Sequence, residues 1–188
     1  MSNQIKVMGI DPGSLYTGFG LLECDLVTQQ VAVIQAGLIL LKPSGSTSSL
    51  VTKHNGIKGL SLIERLGGLQ KSFCEIVERY RPDWVVVEKI FLSKSPQSAF
   101  VLGHARGVIL SIVGAYGLNF AEYSAREVKK SLTGYGGASK EQVARVLSQR
   151  LQVPPQNQWD SSDALALGWH HVMVLLEKEK WKRASLKL

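Results

Sequence analysis

Two short apolar runs, residues 5–10 and 84–87, each end abruptly at an acid, Asp11 after the first and Glu88 after the second. Ile5, Val7, Met8 and Ile10 in one run, and Trp84, Val85, Val86 and Val87 in the other, read as strands buried in a sheet. Asp11 is followed by Pro12 and Gly13, a turn signal. A sheet with such strands must be covered on both faces, so the rest of the chain has to supply helices.

It does so in a legible order. Residues 17–23 and 31–41 read as two more strands, and the turn residues and short spacing between the first three runs suit antiparallel hairpins. Leu62, Leu66, Leu69, Phe73, Ile76, Val77 and Tyr80 recur at helical spacing, and Pro82 stops that helix. Gly67 and Gly68 weaken it by roughly 1 kcal/mol each relative to Ala, and close packing against a neighbour is the reading that accounts for them. Small residues fill a helical stretch at 98–116, a strand follows at 118–123, and helices follow at 124–132, 139–151 and 161–180. The order β-β-β-α-β-α-β-α-α-α predicts one α/β domain over residues 1–180, built on a mixed five-stranded sheet with helices on both faces. Residues 181–188 form a short basic tail with Lys182, Arg183 and Lys187. Residues 43–59, rich in Ser and Gly, cannot build a core and read as a long surface loop inside the domain.

The 188 residues suffice for one such domain, and the formal net charge is +7. That surplus favours a polyanionic partner, although a charge kept for solubility explains it equally well. The two cysteines, Cys24 and Cys74, fit neither a disulfide scaffold nor a zinc site. There is no signal-peptide core and no apolar run near the ~20 residues that span a bilayer. A cytoplasmic protein is expected.

Four acids stand at element ends: Asp11, Glu88, and the pair Asp160 and Asp163 at the start of the last helix. Asp160 and Asp163, spaced i and i+3, share one helical face. Each has a structural explanation: a turn residue, a surface acid at a strand end, a helix N-cap, a first-turn acid favoured by the helix dipole. If the four converge, the chemistry changes. Two carboxylates about 5 Å apart repel by about 3 kcal/mol at an effective dielectric of about 20, so a cluster of them takes up protons or binds cations. Oxygen-only donors select hard ions such as magnesium or manganese. Two such ions about 4 Å apart activate water and stabilise a leaving oxygen in phosphodiester cleavage.

A basic set accompanies the acids. Lys129 and Lys130 precede Gly134, Tyr135, Gly136 and Gly137, and Lys140 comes soon after. Such glycines allow close backbone approach to phosphate and lysines neutralise it, although a solvated charged face has the same composition. Phe91, three residues past Glu88, is placed either to stack on an unpaired base or to pack in the core. His170 and His171, on the last helix, read as structural or peripheral, and the sequence assigns them no role.

These residues together resemble a known family. Gly9, Ile10, Asp11, Pro12, Gly13 and Ser14 with Thr17, Gly18, Phe19 and Gly20 form one motif, and Val87 to Phe91 another. Leu102, Gly103, His104, Ala105, Arg106 and Gly107 form a third, and residues 125–129 with 134–140 a fourth. The last is Asp160, Ser161, Ser162, Asp163, Ala164, Leu165 and Ala166. In this order, from residue 5 to about 171, the set is similar to the RuvC-type Holliday-junction resolvases, crossover junction endodeoxyribonucleases. The resemblance implies a ribonuclease-H-like fold and a homodimer that resolves four-way branched DNA by paired symmetric nicks in two strands of like polarity, in recombination and repair. It implies that Asp11, Glu88, Asp160 and Asp163 are the metal-binding catalytic acids, with two Mg2+ per site and Mn2+ able to substitute. Some members carry histidine at the position of Asp160. It further implies that Phe91 engages DNA bases, that Lys129, Lys140 and the loop at Gly136 meet the scissile region, and that the RuvA–RuvB branch-migration complex is a partner. The loop at 43–59 looks longer than is usual in the family, and the tail matches no motif of it. Three other functions stay open: an actin-like or sugar-kinase-like phosphotransferase, which usually needs two related domains to enclose ATP; a related ribonuclease-H-like nuclease acting on structured RNA; and a DNA-binding module without catalysis.

Overall fold

The computed structural model describes residues 3–13, 16–40, 60–89, 96–153 and 161–185. Five strands, β1 (Gln4–Pro12), β2 (Tyr16–Asp25), β3 (Val31–Leu40), β4 (Trp84–Glu88) and β5 (Asn119–Tyr123), form one sheet in the order β3-β2-β1-β4-β5. The first three are an antiparallel meander; β1 pairs parallel with β4, and β4 parallel with β5. The helices are α1 (Leu62–Tyr80), α2 (Pro96–Ala115), α3 (Ala125–Thr133), α4 (Lys140–Leu151) and α5 (Ser162–Ser185). This is the mixed five-stranded sheet with helices on both faces that the sequence predicts. Most boundaries shift by one to three residues, and the shifts in β1 and α5 are the ones that bear on the acids and the tail. β1 continues through Asp11 to Pro12, because β2 offers Gly18 and Thr17 as partners, and α5 stays helical through residues 181–185. The loop at 43–59 lies outside the described residues.

Side-chain alternation divides the sheet between two cores. Met8, Ile10, Phe19, Leu21, Val85 and Val87 face α1 and α2. Val7, Leu22 and Val86 face α3, α4 and α5. Local chemistry fixes where helices start and stop. Ser61 with Glu64, Ser124 with Glu127, and Ser139 with Gln142 form reciprocal capping boxes on α1, α3 and α4. Arg81 closes α1 in the left-handed region, donating its backbone N–H to the Val77 carbonyl, immediately before Pro82.

α5 packs against the middle of the sheet with no room for a side chain between them. A Cβ at Gly9 would lie 1.9 Å from the Ala164 carbonyl oxygen and 2.8 Å from the Gly168 nitrogen, both backbone atoms. Gly9 pairs with Gly20 across β1 and β2, where a Cβ would lie 2.6 Å from Leu165 Cγ. The absence of side chains at neighbouring positions of two strands lets the first turns of α5 settle on the sheet. Gly67 is a different case. A Cβ there meets nothing within 4 Å, so close packing does not account for this glycine, contrary to the sequence-based expectation.

His171 and His170 pack on the α5 side of the sheet. His171 is buried, its Nδ1 is 2.8 Å from the Tyr123 hydroxyl and its ring lies 4.4 Å from that of Trp84. Its Nε2 is buried without a hydrogen-bond partner. Burial, with lesser repulsion from Lys178 and His170, pulls its pKa down to about 4. His171 is therefore uncharged at neutral pH and packed within the fold.

Two predictions follow from this packing. Gly9→Ala must displace backbone against backbone and should cost more than the ~1–3 kcal/mol usual for an over-packed core, whereas Gly67→Ala should gain up to about 1 kcal/mol. Urea unfolding of the two variants checks the opposite signs. For His171, the folded state refuses a proton that the unfolded chain accepts below its ordinary pKa near 6.5. Stability should therefore fall as pH drops from that value toward 4. Unfolding midpoints measured across this window should decline less steeply in His171→Gln; equal slopes would remove the histidine as the cause.

Candidate active site

The parallel register pairs Ile10 with Val87. One step further, Asp11 and Glu88 stand on adjacent strands, roughly 4.8 Å apart in the hydrogen-bonding direction. Two residues beyond Gly9, Asp11 lies on the face that carries α5, and Glu88 shares that face by alternation from Val86. The seating of α5 on Gly9 brings its first turn, with Asp163, to the same end of the sheet. The start of that helix, fixed by the Leu165 N–H to Ser161 carbonyl bond at 2.9 Å, also supplies the positive end of a helix dipole.

The carboxylates feel one another. Burial raises the Asp11 pKa first, and repulsion from Asp163 raises it further; Lys140 opposes both. Glu88 is raised by burial, then by Asp11 and Asp163, with Lys140 and Lys129 opposing. Lys140 Nζ donates to Asp163 Oδ2 at 2.6 Å. This bond, chiefly, raises the lysine's own pKa, with help from Asp11 and Glu88. The placement of Lys140 is informative, because it is the first residue of α4 after the Ser139 cap. A cation is disfavoured at a helix N-terminus, so helix stability does not explain a lysine there, whereas the acids opposite do.

The structure thus brings together Asp11, Glu88, Asp163, Lys140 and Lys129. Asp160 and Phe91 lie outside the described residues. Gly136 lies in the turn between α3 and α4, against Arg126, whose Cγ would be 2.7 Å from a Cβ at that position. Lys129 and Lys130 are in the last turns of α3, their carbonyls accepting from the Thr133 hydroxyl and the Gly134 N–H. One contributor was named at the sequence level only inside a motif: Arg106. It donates from Nη1 to the Glu88 carbonyl at 2.8 Å and from Nη2 to the Glu122 carboxylate. The available signal was a lone arginine amid small and apolar residues of a helix, which must find partners if it is buried.

Chemically the acids are a hard, oxygen-only donor set whose two raised members are short of positive charge, which fits a divalent cation such as magnesium or manganese. Among the described residues no three such side chains are gathered tightly enough to hold an ion as they stand. Lys140 engages one oxygen of Asp163, Oδ2, which leaves Oδ1 as an acceptor. Among the described residues no helix is long and apolar enough to cross a membrane.

The family model for crossover junction endodeoxyribonuclease RuvC matches residues 7–171. The crossover junction endodeoxyribonuclease RuvC of Bdellovibrio bacteriovorus is 38% identical over 180 residues, covering 96% of this chain and 97% of that protein. Its counterpart in Legionella pneumophila is 38% identical over 166 residues, covering 88% of this chain and 85% of that one. Among solved structures, Thermus thermophilus RuvC superposes with a TM-score of 0.75 at 25% identity, over 93% of this chain and 98% of that one. The same protein in complex with Holliday junction substrate gives 0.76 at 25% identity, over 93% of this chain and 97% of that one. With nearly the whole length matched both in sequence and in fold, this chain belongs to the RuvC family of crossover junction endodeoxyribonucleases.

Proposed function

We propose that this protein resolves Holliday junctions, hydrolysing phosphodiesters of four-way branched DNA in recombination and repair with paired, symmetric nicks in strands of like polarity. The observation that carries the reading is the meeting of Asp11, Glu88 and Asp163 at one end of the sheet, opposed by Lys140, in a chain of this family. Asp11, Glu88, Asp163 and Asp160 would hold two magnesium ions, with manganese able to substitute. When bound, such ions activate a water and stabilise the leaving oxygen.

The chain's own residues supply the rest. Lys129 and Lys140 bring positive charge beside the acids, which a polyanion would otherwise avoid, and neutralise backbone phosphate. Gly136 keeps the α3–α4 turn low enough for that phosphate to approach. Phe91 stacks on a base exposed near the cut. A second copy completes the enzyme, giving one active site for each strand. Its seat is the apolar groove of about 980 Å³ between α1 and α2, lined by Leu66, Phe100, Gly103, Gly107 and Val108, with Phe100 71% exposed at its rim. The family also makes the RuvA–RuvB branch-migration complex the expected partner, in the cytoplasm.

The decisive experiment offers a synthetic four-way DNA junction and a structured RNA of equal length, with magnesium and with excess chelator. Only the junction with magnesium should be cut in paired nicks. Asp11→Asn, Glu88→Gln and Asp163→Asn should each lose at least the roughly 10–100-fold that removal of even an outer partner of a metal ligand costs, while still binding the junction. Asp11→Asn should also melt at a higher temperature at neutral pH. The sign follows from the raised pKa: the fold disfavours the Asp11 anion, so stability is lost as pH rises through the folded value, and a neutral isostere escapes that loss. A lower melting temperature would contradict the assigned burial and repulsion.

DNA grip separates from chemistry in the salt dependence of junction binding. Lys129→Ala and Lys140→Ala should each reduce the slope of log K against log salt by about one unit. Phe91→Ala should leave the slope unchanged and slow cutting of a fully paired junction by about 5- to 150-fold. Unpaired bases placed at the cut site should recover part of that loss. A Phe91 variant that is not rescued and melts early would be a core residue instead.

A further inference from the structure

We propose that Arg106 is a positioning residue for Glu88, the link through which α2 fixes the active-site end of β4; this rests on the reading of Glu88 as a member of the metal-holding set. The geometry is specific. Arg106 is on α2, and its side chain is only 16% exposed. One arm of its guanidinium donates to the Glu88 main-chain carbonyl at 2.8 Å, and the other pairs with the Glu122 carboxylate on β5. Glu122 pairs with Val87 in the β4–β5 register, so it lies on the α1–α2 face of the sheet, whereas the Glu88 side chain points to the α5 face. Arg106 therefore grips Glu88 from behind. Its guanidinium is directed at backbone and at Glu122, away from the acids.

The geometry supports positioning over electrostatics: the guanidinium meets Glu88 only at its main-chain carbonyl, and its own charge is answered by the Glu122 carboxylate on the α1–α2 face. On the other side of the joint, the Lys89 N–H donates to the Tyr123 carbonyl at 2.9 Å. The last residue of β4 is thus held by its carbonyl through α2 and, one amide on, by β5, just before the chain leaves the sheet. Arg106 is also flanked by Gly103 and Gly107, which line the α1–α2 groove. A shift of α2 when that groove is filled would reach Glu88 through this guanidinium.

The test is hydrogen exchange and single-turnover cutting of Arg106→Gln and Arg106→Lys. Loss of the clamp should speed amide exchange in the segments covering 84–89 and 119–123 while β1, β2 and α5 keep wild-type protection. In Arg106→Gln the cleavage rate should fall by about 10–100-fold, with junction affinity unchanged and the magnesium needed for half-maximal rate increased. Arg106→Lys should recover part of both effects, because an ammonium can hold one partner but cannot fork between two. Exchange that rises everywhere together, or a lowered melting temperature with wild-type cutting below it, would make Arg106 an ordinary structural residue and overturn the proposal. Should Arg106→Gln not fold, Glu122→Gln loosens the same guanidinium, and unchanged exchange at 84–89 in that variant would overturn it equally. If the wild-type protein cuts no junction, the functional reading fails, while the exchange arm still decides whether the clamp exists.

Discussion

Everything in this molecule turns on how closely one helix can approach one strand. At Gly9 the backbone of α5 comes so near to β1 that even a methyl group would collide with the Ala164 carbonyl. Gly20 on β2 makes the same allowance beside it. Because Asp11 follows Gly9 by two positions, and Asp163 precedes Ala164 by one, the contact that packs the helix also sets the distance between two acids. A wider crossing would leave the same residues in the same elements with no shared site.

The second constraint is electrostatic, and it runs against stability. Burial and mutual repulsion raise the pKa values of Asp11 and Glu88, so the folded chain holds these carboxylates in an environment that disfavours their anions. The local answer is Lys140, placed at a helix start where the dipole gives it no help and held by Asp163. A chain of net charge +7 thus keeps a concentrated negative pocket within a positive field. That combination suits a site that must attract a polyanion and yet bind cations beneath it.

The sheet mediates between its two faces. Acids project toward α5, while the backbone that carries Glu88 is gripped from the α2 side by Arg106 and Glu122. A strand end is the least constrained part of a sheet, and Glu88 is the last residue of β4. Fastening it from the opposite layer leaves its side chain free to serve the site. The helix that does the fastening is also the one that walls the apolar groove, so the proposed subunit interface and the proposed active site share one rigid element.

Element order, the buried strands and the positions of Glu88 at the end of β4 and Asp163 at the start of α5 were legible from the chain alone. They depend on periodicity, turn residues and caps, which act within a few residues of where they are written. The apolar run 84–87 announced both a central strand and Glu88 at its end, and Ser139 with Gln142 announced where α4 starts. Motif order pointed to the family. Three things were decided only by the tertiary structure. One was that α5 lies on Gly9, since a strand glycine read in sequence does not say what approaches it. Another was that Gly67 makes room for nothing. The last was that Arg106, 18 residues beyond Glu88, returns to hold its carbonyl. Long-range contacts of this kind have no local signature: a side chain's partner across the sheet is chosen by register and layer packing, and these are properties of the assembled fold.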